Sequence, residues 1–190
     1  EAVELMNYSP LIYAKNKTNV AITGKGTLNG QANNTNWWVW SGGKSYGWKK
    51  GIPSQNDPTN REVLVDMAEK GVPVSERIFG EGRYLRPSFV EFFECNTVLI
   101  KDITIINAPF WILHPLKSNN IIIDGVTVNS HGPNNDGCDP EYSQNIIIKN
   151  CTFNTGDDCI AIKSGRDADG RRVAIPSKNI IVQNCKMIDG

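Results

Sequence analysis

The 190-residue sequence has no long apolar run, since no stretch approaches the roughly 18 consecutive apolar residues that a transmembrane helix needs. It also has no excess of charge, with 20 Lys and Arg against 20 Asp and Glu. Without a net charge there is no global field to attract nucleic acid or an anionic membrane, so neither is expected as a partner. The chain begins at Glu1 without a signal-peptide pattern, which favours a mature or trimmed product.

The cysteines lack the spacing of a disulfide framework or a metal site. There are five, an odd number, and none forms a Cys-x-x-Cys pair. They fall inside apolar or repeated segments, where free cysteine is usually a small buried residue. We therefore expect no metal and no cofactor, and the redox compartment stays open. The five are Cys95, Cys138, Cys151, Cys159 and Cys185.

An internal repeat is present. Segments 98–105, 121–128, 146–153 and 180–187 each read as an apolar strand, a polar step and a second strand. The residues before them, Thr97, Asn120, Asn145 and Asn179, are spaced by 23, 25 and 34. A fainter copy, 20–28, follows Asn19. Self-similarity at this period is typical of a solenoid.

Such short units must stack on one another to bury their apolar faces. We predict an all-β fold, a right-handed parallel β-helix in which Asn120, Asn145 and Asn179 form an internal side-chain ladder. Cys151 and Cys185 would share a register. The alternative, a leucine-rich or α/β repeat, is disfavoured because no capped amphipathic ten-residue pattern lies between the strands.

Residues 30–87 break the period. We interpret them as an insertion packed beside a single β-helix domain that spans 1–190, with a short helix near residues 60–70. Its aromatic residues could form a sugar-stacking platform, but packing of a cap onto the solenoid is the more frequent role. They are Trp37, Trp38, Trp40, Tyr46 and Trp48.

Carboxylates recur at the coil period. Asp136 and Asp157 are 21 residues apart, so stacking would place them side by side, with Asp158 next to them. Clustered carboxylates are candidates for acid and base catalysis. The alternatives are a solvated turn or a calcium site that includes Asp139. Gly156 would allow the bend that brings Asp157 and Asp158 to one surface.

Glycoside hydrolysis requires one carboxylic acid and one carboxylate on opposite sides of the scissile bond. Inverting enzymes hold the two groups roughly 6.5 to 9.5 Å apart to admit a water. For an inverting site, that separation would lie between Asp157 and either Asp136 or Asp158.

Two motifs carry a resemblance to a known family. Asn134-Asn135-Asp136 resembles the Asn-Thr-Asp motif, and Gly156-Asp157-Asp158 resembles the Gly/Gln-Asp-Asp motif, of the polygalacturonases (glycoside hydrolase family 28). The likeness is clear over 87–190 and looser before it. It implies inverting hydrolysis of α-1,4-galacturonosidic bonds in pectic galacturonan by a secreted or periplasmic enzyme.

The resemblance also implies roles for individual residues. Asp157 would be the general acid, Asp136 and Asp158 would activate the attacking water, and Asn134 would contact the sugar. Asn135 stands where the family has threonine, which we expect to be tolerated. The family's Gly-His-Gly and Arg-x-Lys motifs are absent from this sequence, so it looks cut short at Gly190. The remainder of a parent chain would then be needed for activity.

Further candidates lie around the carboxylates. The run from Lys163 to Gly165, followed by Arg166, Arg171 and Arg172, resembles the exo-acting members, and 165–174 would form a loop at the cleft. Lys163 could bind a galacturonate carboxylate or be a solvated lysine. The register also brings His114 and Trp111 near the site, as sugar contacts or as structural residues, whereas His131 is expected to be structural.

Two other functions remain open at this point. A calcium-dependent pectate lyase would use the same kind of helix and release unsaturated products. A non-catalytic β-helix, such as an adhesin, would have no use for three clustered aspartates. The sequence does not distinguish among pectic substrates, between endo and exo action, or among oligomeric states.

Overall fold

The computed structural model describes residues 2–190, so Glu1, on which the expectation of a trimmed start rests, lies outside the described residues. The chain winds into a parallel β-helix with few helical segments, and the predicted fold class is confirmed. Its strands are β1 Ile12–Lys15, β2 Thr18–Thr23, β3 Thr27–Asn29, β4 Val90–Phe93, β5 Asn96–Lys101, β6 Thr104–Ile106, β7 Leu113–Leu116, β8 Asn119–Asp124, β9 Thr127–Ser130, β10 Gln144–Lys149, β11 Thr152–Thr155, β12 Lys178–Gln183 and β13 Lys186–Asp189.

Three parallel sheets run along the helix. The site sheet has the order β1-β4-β7, the second sheet β12-β10-β8-β5-β2 and the third sheet β13-β11-β9-β6-β3. Bridges extend the site sheet by two coils, because Leu113 pairs with Cys138 and Cys138 with Ile160. A second row of bridges joins Leu116 to Glu141 and Glu141 to Lys163. Both predicted carboxylate motifs therefore lead into the site sheet.

Stacked apolar columns form the core. Ile100, Ile123 and Ile148 occupy equal register positions in the second sheet, and each is at most 1% exposed. Ile105 and Val128 lie in a matching column of the third sheet and are 0% exposed. Burial of each such side chain stabilises the fold by about 1.5–3 kcal/mol.

The residues that precede the repeated strands share one backbone conformation. Thr97, Asn120, Asn145 and Asn179 all have φ between 56° and 60°, a left-handed conformation that asparagine tolerates well. The Asn145 amide donates to Asn119 Oδ1 at 2.8 Å, and the Asn179 amide donates to Asn145 Oδ1 at 2.9 Å. An asparagine ladder exists, but Asn120 donates to Asn96 instead of joining Asn145, and the side chains are exposed, so the expected internal position is wrong. Side chains alternate along a strand, and the next residue already points into the core.

The cysteines fit the predicted pattern. All five are free thiols, and Cys151 stacks on Cys185, as the pairing of Thr152 with Lys186 requires. Cys95, Cys138 and Cys151 are buried, whereas the other two are half-buried against the same core. The faint early repeat is also a coil, because β2 pairs with β5 and β3 with β6.

Residues 30–87 lie between β3 and β4. They contain the helix α1 Arg61–Glu69, which confirms the expected helix, and the 3-10 turns Trp37–Ser41, Lys44–Tyr46 and Val74–Glu76. Trp37 and Trp40 contact each other at 4.7 Å between ring centroids, and Trp38 donates its indole N–H to Ala108 O at 2.8 Å. Here the aromatic residues pack together and onto the coils; whether 30–87 is an insertion stays a prediction.

The segment expected as a loop, 165–174, contains the helix α2 Asp167–Val173. Its Asp169 carboxylate forms a buried ion pair with Arg77, and α1 packs against α2. The loop expectation is therefore wrong, because a distant contact holds a short helix that lacks an apolar periodicity. Among residues 2–190, no helix is both long and apolar enough to cross a membrane.

Candidate active site

Three aspartates meet at one edge of the site sheet. Asp136 follows β9, whereas Asp157 and Asp158 follow β11 in the next coil. The Gly137 N–H donates to Asp158 O at 2.9 Å, which places the two motifs side by side. Gly156 allows this close approach, because a Cβ there would lie 2.5 Å from Gly132 O. The register argument from the sequence thus brings together the residues that it named.

The three carboxylates are closer than expected. One oxygen of each lies within 4.8 Å of one oxygen of both others. Measured between these oxygens, the expected separation of roughly 6.5 to 9.5 Å is wrong. The reason is geometric: the bridge between Cys138 and Ile160 places Asp136 level with Asp158 on the neighbouring strand, about 4.8 Å away, and Asp157 is adjacent to Asp158 in the chain.

This spacing permits two kinds of occupant. A water that donates two hydrogen bonds of about 2.8 Å spans acceptors roughly 4.5 Å apart, so one water fits between two of the carboxylates. A calcium ion also prefers several carboxylate oxygens at short range. The spacing therefore fits a hydrolytic site and a cation site alike.

Lys163 supplies a positive charge inside the cluster. Its Nζ lies 3.2 Å from Asp136 Oδ2 and 3.1 Å from Asp139 Oδ1, and 4.5 Å from the centroid of the Trp111 ring. Burial favours a lower pKa for Lys163, but Asp139 and Asp136 outweigh it and raise the pKa. The ammonium already occupies the side of the cluster where a metal ion would balance Asp136.

The two carboxyl groups that contact Lys163 have raised pKa values. Burial raises the pKa of Asp136, although Lys163 opposes the shift. Asp139 is 0% exposed, and burial followed by the charge of Asp136 raises its pKa well above the ordinary range. Asp139 lies three residues after the first motif, and the sequence suggested for it only a calcium-ligand role, whereas the structure makes it a partner of Lys163.

His114 lies between two glutamates. Its Nδ1–H donates to Glu91 Oε2 and its Nε2–H donates to Glu141 Oε2, each at 2.9 Å. Burial alone would lower the His114 pKa, but these hydrogen bonds and charges raise it to about 9. Both ring nitrogens are therefore engaged within the protein. A sugar contact by His114 stays a prediction and would involve the ring carbons.

Trp111 and Asn134 also lie next to the cluster. Trp111 is 7% exposed and stacks on Phe110 at 5.0 Å between centroids. The Asn134 amide donates to Asp157 Oδ2 at 3.4 Å, and its Oδ1 accepts from Arg86 Nη2 at 2.7 Å. Asn134 thus contacts the expected general acid, while its sugar contact stays a prediction. Sequence reasoning missed Arg86, which carries no motif signal.

Asn135, the residue that departs from the family motif, stabilises the turn that precedes Asp136. It is 0% exposed, and its Oδ1 accepts from Ser130 Oγ at 2.5 Å and from the Gly132 N–H at 2.9 Å. Its amide donates to Ala108 O and Phe110 O, each at 3.1 Å. Because every polar atom of Asn135 is engaged, this residue holds Asp136 in place without taking part in proton transfer.

A cavity of about 370 Å³ opens beside the cluster. Gln55 and Arg61 line it from the 30–87 segment, and Gly165 and Arg166 line it from the α2 side. Lys163, Trp111 and Asn134 form the wall nearest the carboxylates. The arrangement places cationic side chains around a space next to an acidic centre.

Comparison with known proteins agrees with this geometry. The sequence model of the glycosyl hydrolases family 28 matches residues 80–190, which is more than half of the chain. The matched residues contain the coils of the parallel β-helix from β4 onward and all three clustered aspartates. The chain belongs to glycosyl hydrolase family 28.

Individual relatives are polygalacturonases by description. A probable polygalacturonase of Vitis vinifera is 30% identical over 185 residues, which are 95% of this chain and 30% of that protein. The structure of a hyperthermoactive exopolygalacturonase from Thermotoga maritima is similar with a TM-score of 0.94 and 53% identity, over 96% of this chain and 41% of that one. The polygalacturonase from Erwinia carotovora, at 20% identity and a TM-score of 0.58, shares the fold over 97% of this chain and 42% of its own.

Proposed function

We propose that the protein that carries this chain hydrolyses α-1,4-galacturonosidic bonds of pectic galacturonan with inversion at the anomeric carbon. The chain spans only 30% of the grapevine relative and 41% of the Thermotoga structure. The carrying observation is the cluster of Asp136, Asp157 and Asp158 with Lys163 as its internal counter-charge.

Each carboxylate has a defined task in this proposal. Asp157 donates its proton to the glycosidic oxygen as the bond from that oxygen to the anomeric carbon breaks. A water between Asp136 and Asp158 attacks the anomeric carbon and gives a proton to one of them. Burial raises the pKa of Asp136, and the positive charge of Lys163 opposes this rise.

The charges around the cavity suit an anionic sugar at the end of a polysaccharide chain. Arg61, Lys163 and Arg166 line it, and cationic side chains of this kind pair with a uronate carboxylate. Because 30–87 and the α2 segment both border the space, we propose action at a chain end, as in the exopolygalacturonase named above. Trp111, His114 and Asn134 would contact the sugar. The proposed location of the protein is secreted or periplasmic, where polymeric pectin is met.

The test uses the longest natural polypeptide that contains these residues, acting on de-esterified pectin. We expect new reducing ends, free galacturonic acid as the first product and no ultraviolet-absorbing unsaturation. Added chelator should leave the rate unchanged. Unsaturated products that disappear with chelator would identify a lyase, and a spread of oligomers would identify endo action.

A second function, calcium binding, is favoured by the closeness of the three carboxylates. Calorimetric titration of the protein with calcium, beside an Asp157→Asn variant, distinguishes the two. We expect no binding that depends on Asp157, since Lys163 already balances Asp136.

A further inference from the structure

A buried row of charged side chains crosses the coils of the site sheet next to the aspartates. Glu91, His114 and Glu141 form one unit, in which the imidazole donates to both carboxylates at 2.9 Å. His114 is 6% exposed and Glu141 is 3% exposed. Since both ring nitrogens face carboxylate oxygens, the ring carries two protons and a positive charge.

Lys163 has two possible sets of anionic partners. A β-bridge pairs Glu141 with Lys163, so their backbones lie in equal positions of adjacent coils, about 4.8 Å apart. The Lys163 ammonium nevertheless contacts Asp136 and Asp139 at 3.2 and 3.1 Å. Glu141 Oε1 is buried without a hydrogen-bond partner, so His114 provides the pairing that holds this glutamate.

We infer that His114 is a positioning residue: by binding Glu141, it leaves Lys163 free to pair with Asp136. Without the imidazolium, Glu141 would be a buried anion without a partner beside a flexible ammonium, and the two would attract each other. Lys163 would move away from Asp136. Burial would then raise the Asp136 pKa without an opposing positive charge. The groups that face His114 are Glu91, Glu141, the Ser88 hydroxyl 3.1 Å from Nδ1, the Trp111 ring edge and the charge of Asp139.

The direct test follows the Asp136 carboxyl group by carbon NMR in the natural polypeptide labelled at aspartate, with Asp136→Asn to assign its signal. In His114→Gln, we expect the Asp136 pKa to rise by about one unit or more, equivalent to a tenfold change in proton affinity. Glu141→Gln alone should leave the titration unchanged. The double variant should return to the value of Glu141→Gln, because no competing anion remains.

The activity arm rests on the proposed function. The kcat/KM of His114→Gln should fall about tenfold or more at pH values below the parent Asp136 pKa, where a one-unit shift has its full effect, and the acid limb of its pH profile should move upward. In the double variant, the acid limb should return to its position in Glu141→Gln, a readout that a lost sugar contact of the His114 ring would not move. A merely structural histidine predicts instead that the acid limb of the double variant stays where it is in His114→Gln.

The outcomes separate the two proposals. An unchanged Asp136 titration in folded His114→Gln overturns the inference. If His114→Gln does not fold, the double variant decides. An Asp136 pKa in the double variant that differs from the Asp136 pKa in Glu141→Gln overturns the inference. If the titrations behave as expected but the natural polypeptide releases no reducing ends from pectin, the positioning role stands and the proposed function fails.

Discussion

The site sheet and the second sheet use the same stacking for opposite purposes. In the second sheet, one column holds Ile100, Ile123 and Ile148, all at most 1% exposed. In the site sheet, the column through Glu91 and His114 holds charges that are largely buried. Identical side chains at identical spacing supply hydrophobic stabilisation, whereas alternating charges at that spacing hold one another in place.

The comparison shows how a solenoid can carry a charged site. Burial of an isolated charge is costly, but an ion stacked between opposite charges of the neighbouring coils is compensated. The apolar columns of the other two sheets then provide the stability that the charged row does not. Substitutions in the two sheets should therefore differ in kind, with loss of activity in one and loss of stability in the other.

The largest effect is expected at the aspartates. Asp157→Asn and Asp136→Asn each remove a group that donates or accepts a proton, and kcat should fall by about 10²- to 10⁴-fold with little change in stability. Reducing-end release measures the rate. Asp66→Asn, an exposed carboxylate on α1, is the matched control and should remain within about twofold of the parent. Equal losses of kcat in all three variants would show that the effect is not specific to the site.

The core column predicts the opposite behaviour. Ile123→Ala removes a side chain that is 0% exposed, and the free energy of unfolding should fall by about 2–5 kcal/mol. Ile122→Ala, on the same strand but 40% exposed, should cost less than about 1 kcal/mol. Urea denaturation of both variants measures the difference. Similar values for the two would show that the column is not the core.

The charged row predicts a dependence of stability on pH. The His114 pKa is 6.5 in an unfolded chain and about 9 in the fold, so the folded state binds the proton more tightly. Its stabilisation is complete below pH 6.5 and is lost as the pH rises through 9, by about 3 kcal/mol in all. Denaturation at a series of pH values measures this fall. It should vanish in His114→Gln and persist in His131→Gln, which changes the exposed histidine.

The asparagine ladder should give the smallest effect. Asn145 has φ of 57° and hydrogen bonds to two neighbouring asparagines. Asn145→Ala removes these bonds and leaves a Cβ in a left-handed conformation without a hydrogen bond that compensates for it. We expect the free energy of unfolding to fall by about 1–2 kcal/mol. Asn145→Gly removes the bonds alone and should cost less in the same thermal unfolding experiment. An equal loss in both variants would assign the effect to the hydrogen bonds.

Much of the fold could be predicted because the repeat is detectable in the sequence. The spacing of Asn120, Asn145 and Asn179 fixed the register, and the register brought Asp136 next to Asp157. The predicted distance between the carboxylates was wrong, because it was taken from the separation typical of inverting enzymes. The spacing of neighbouring strands, about 4.8 Å in any parallel sheet, was the better guide. Local periodicity was sufficient for the architecture but not for the contact geometry.

Long-range contacts account for the rest. Helix α2 depends on an ion pair between Asp169 and Arg77, 92 residues apart, and no local pattern announces such a pair. The glutamates around His114 were within reach of the same repeat argument. Glu91 is 23 residues before His114 and Glu141 is 27 after it, so an extended alignment of the coils would have indicated both.

The anomeric configuration of the first product tests the central claim most directly. Proton NMR recorded during the first turnovers of the natural polypeptide on de-esterified galacturonan should show the β-anomer of galacturonic acid before mutarotation. That result follows if water held by Asp136 and Asp158 attacks opposite the bond that Asp157 protonates. An α-anomer formed first, or an unsaturated product without a new reducing-end hydroxyl from water, would contradict the account.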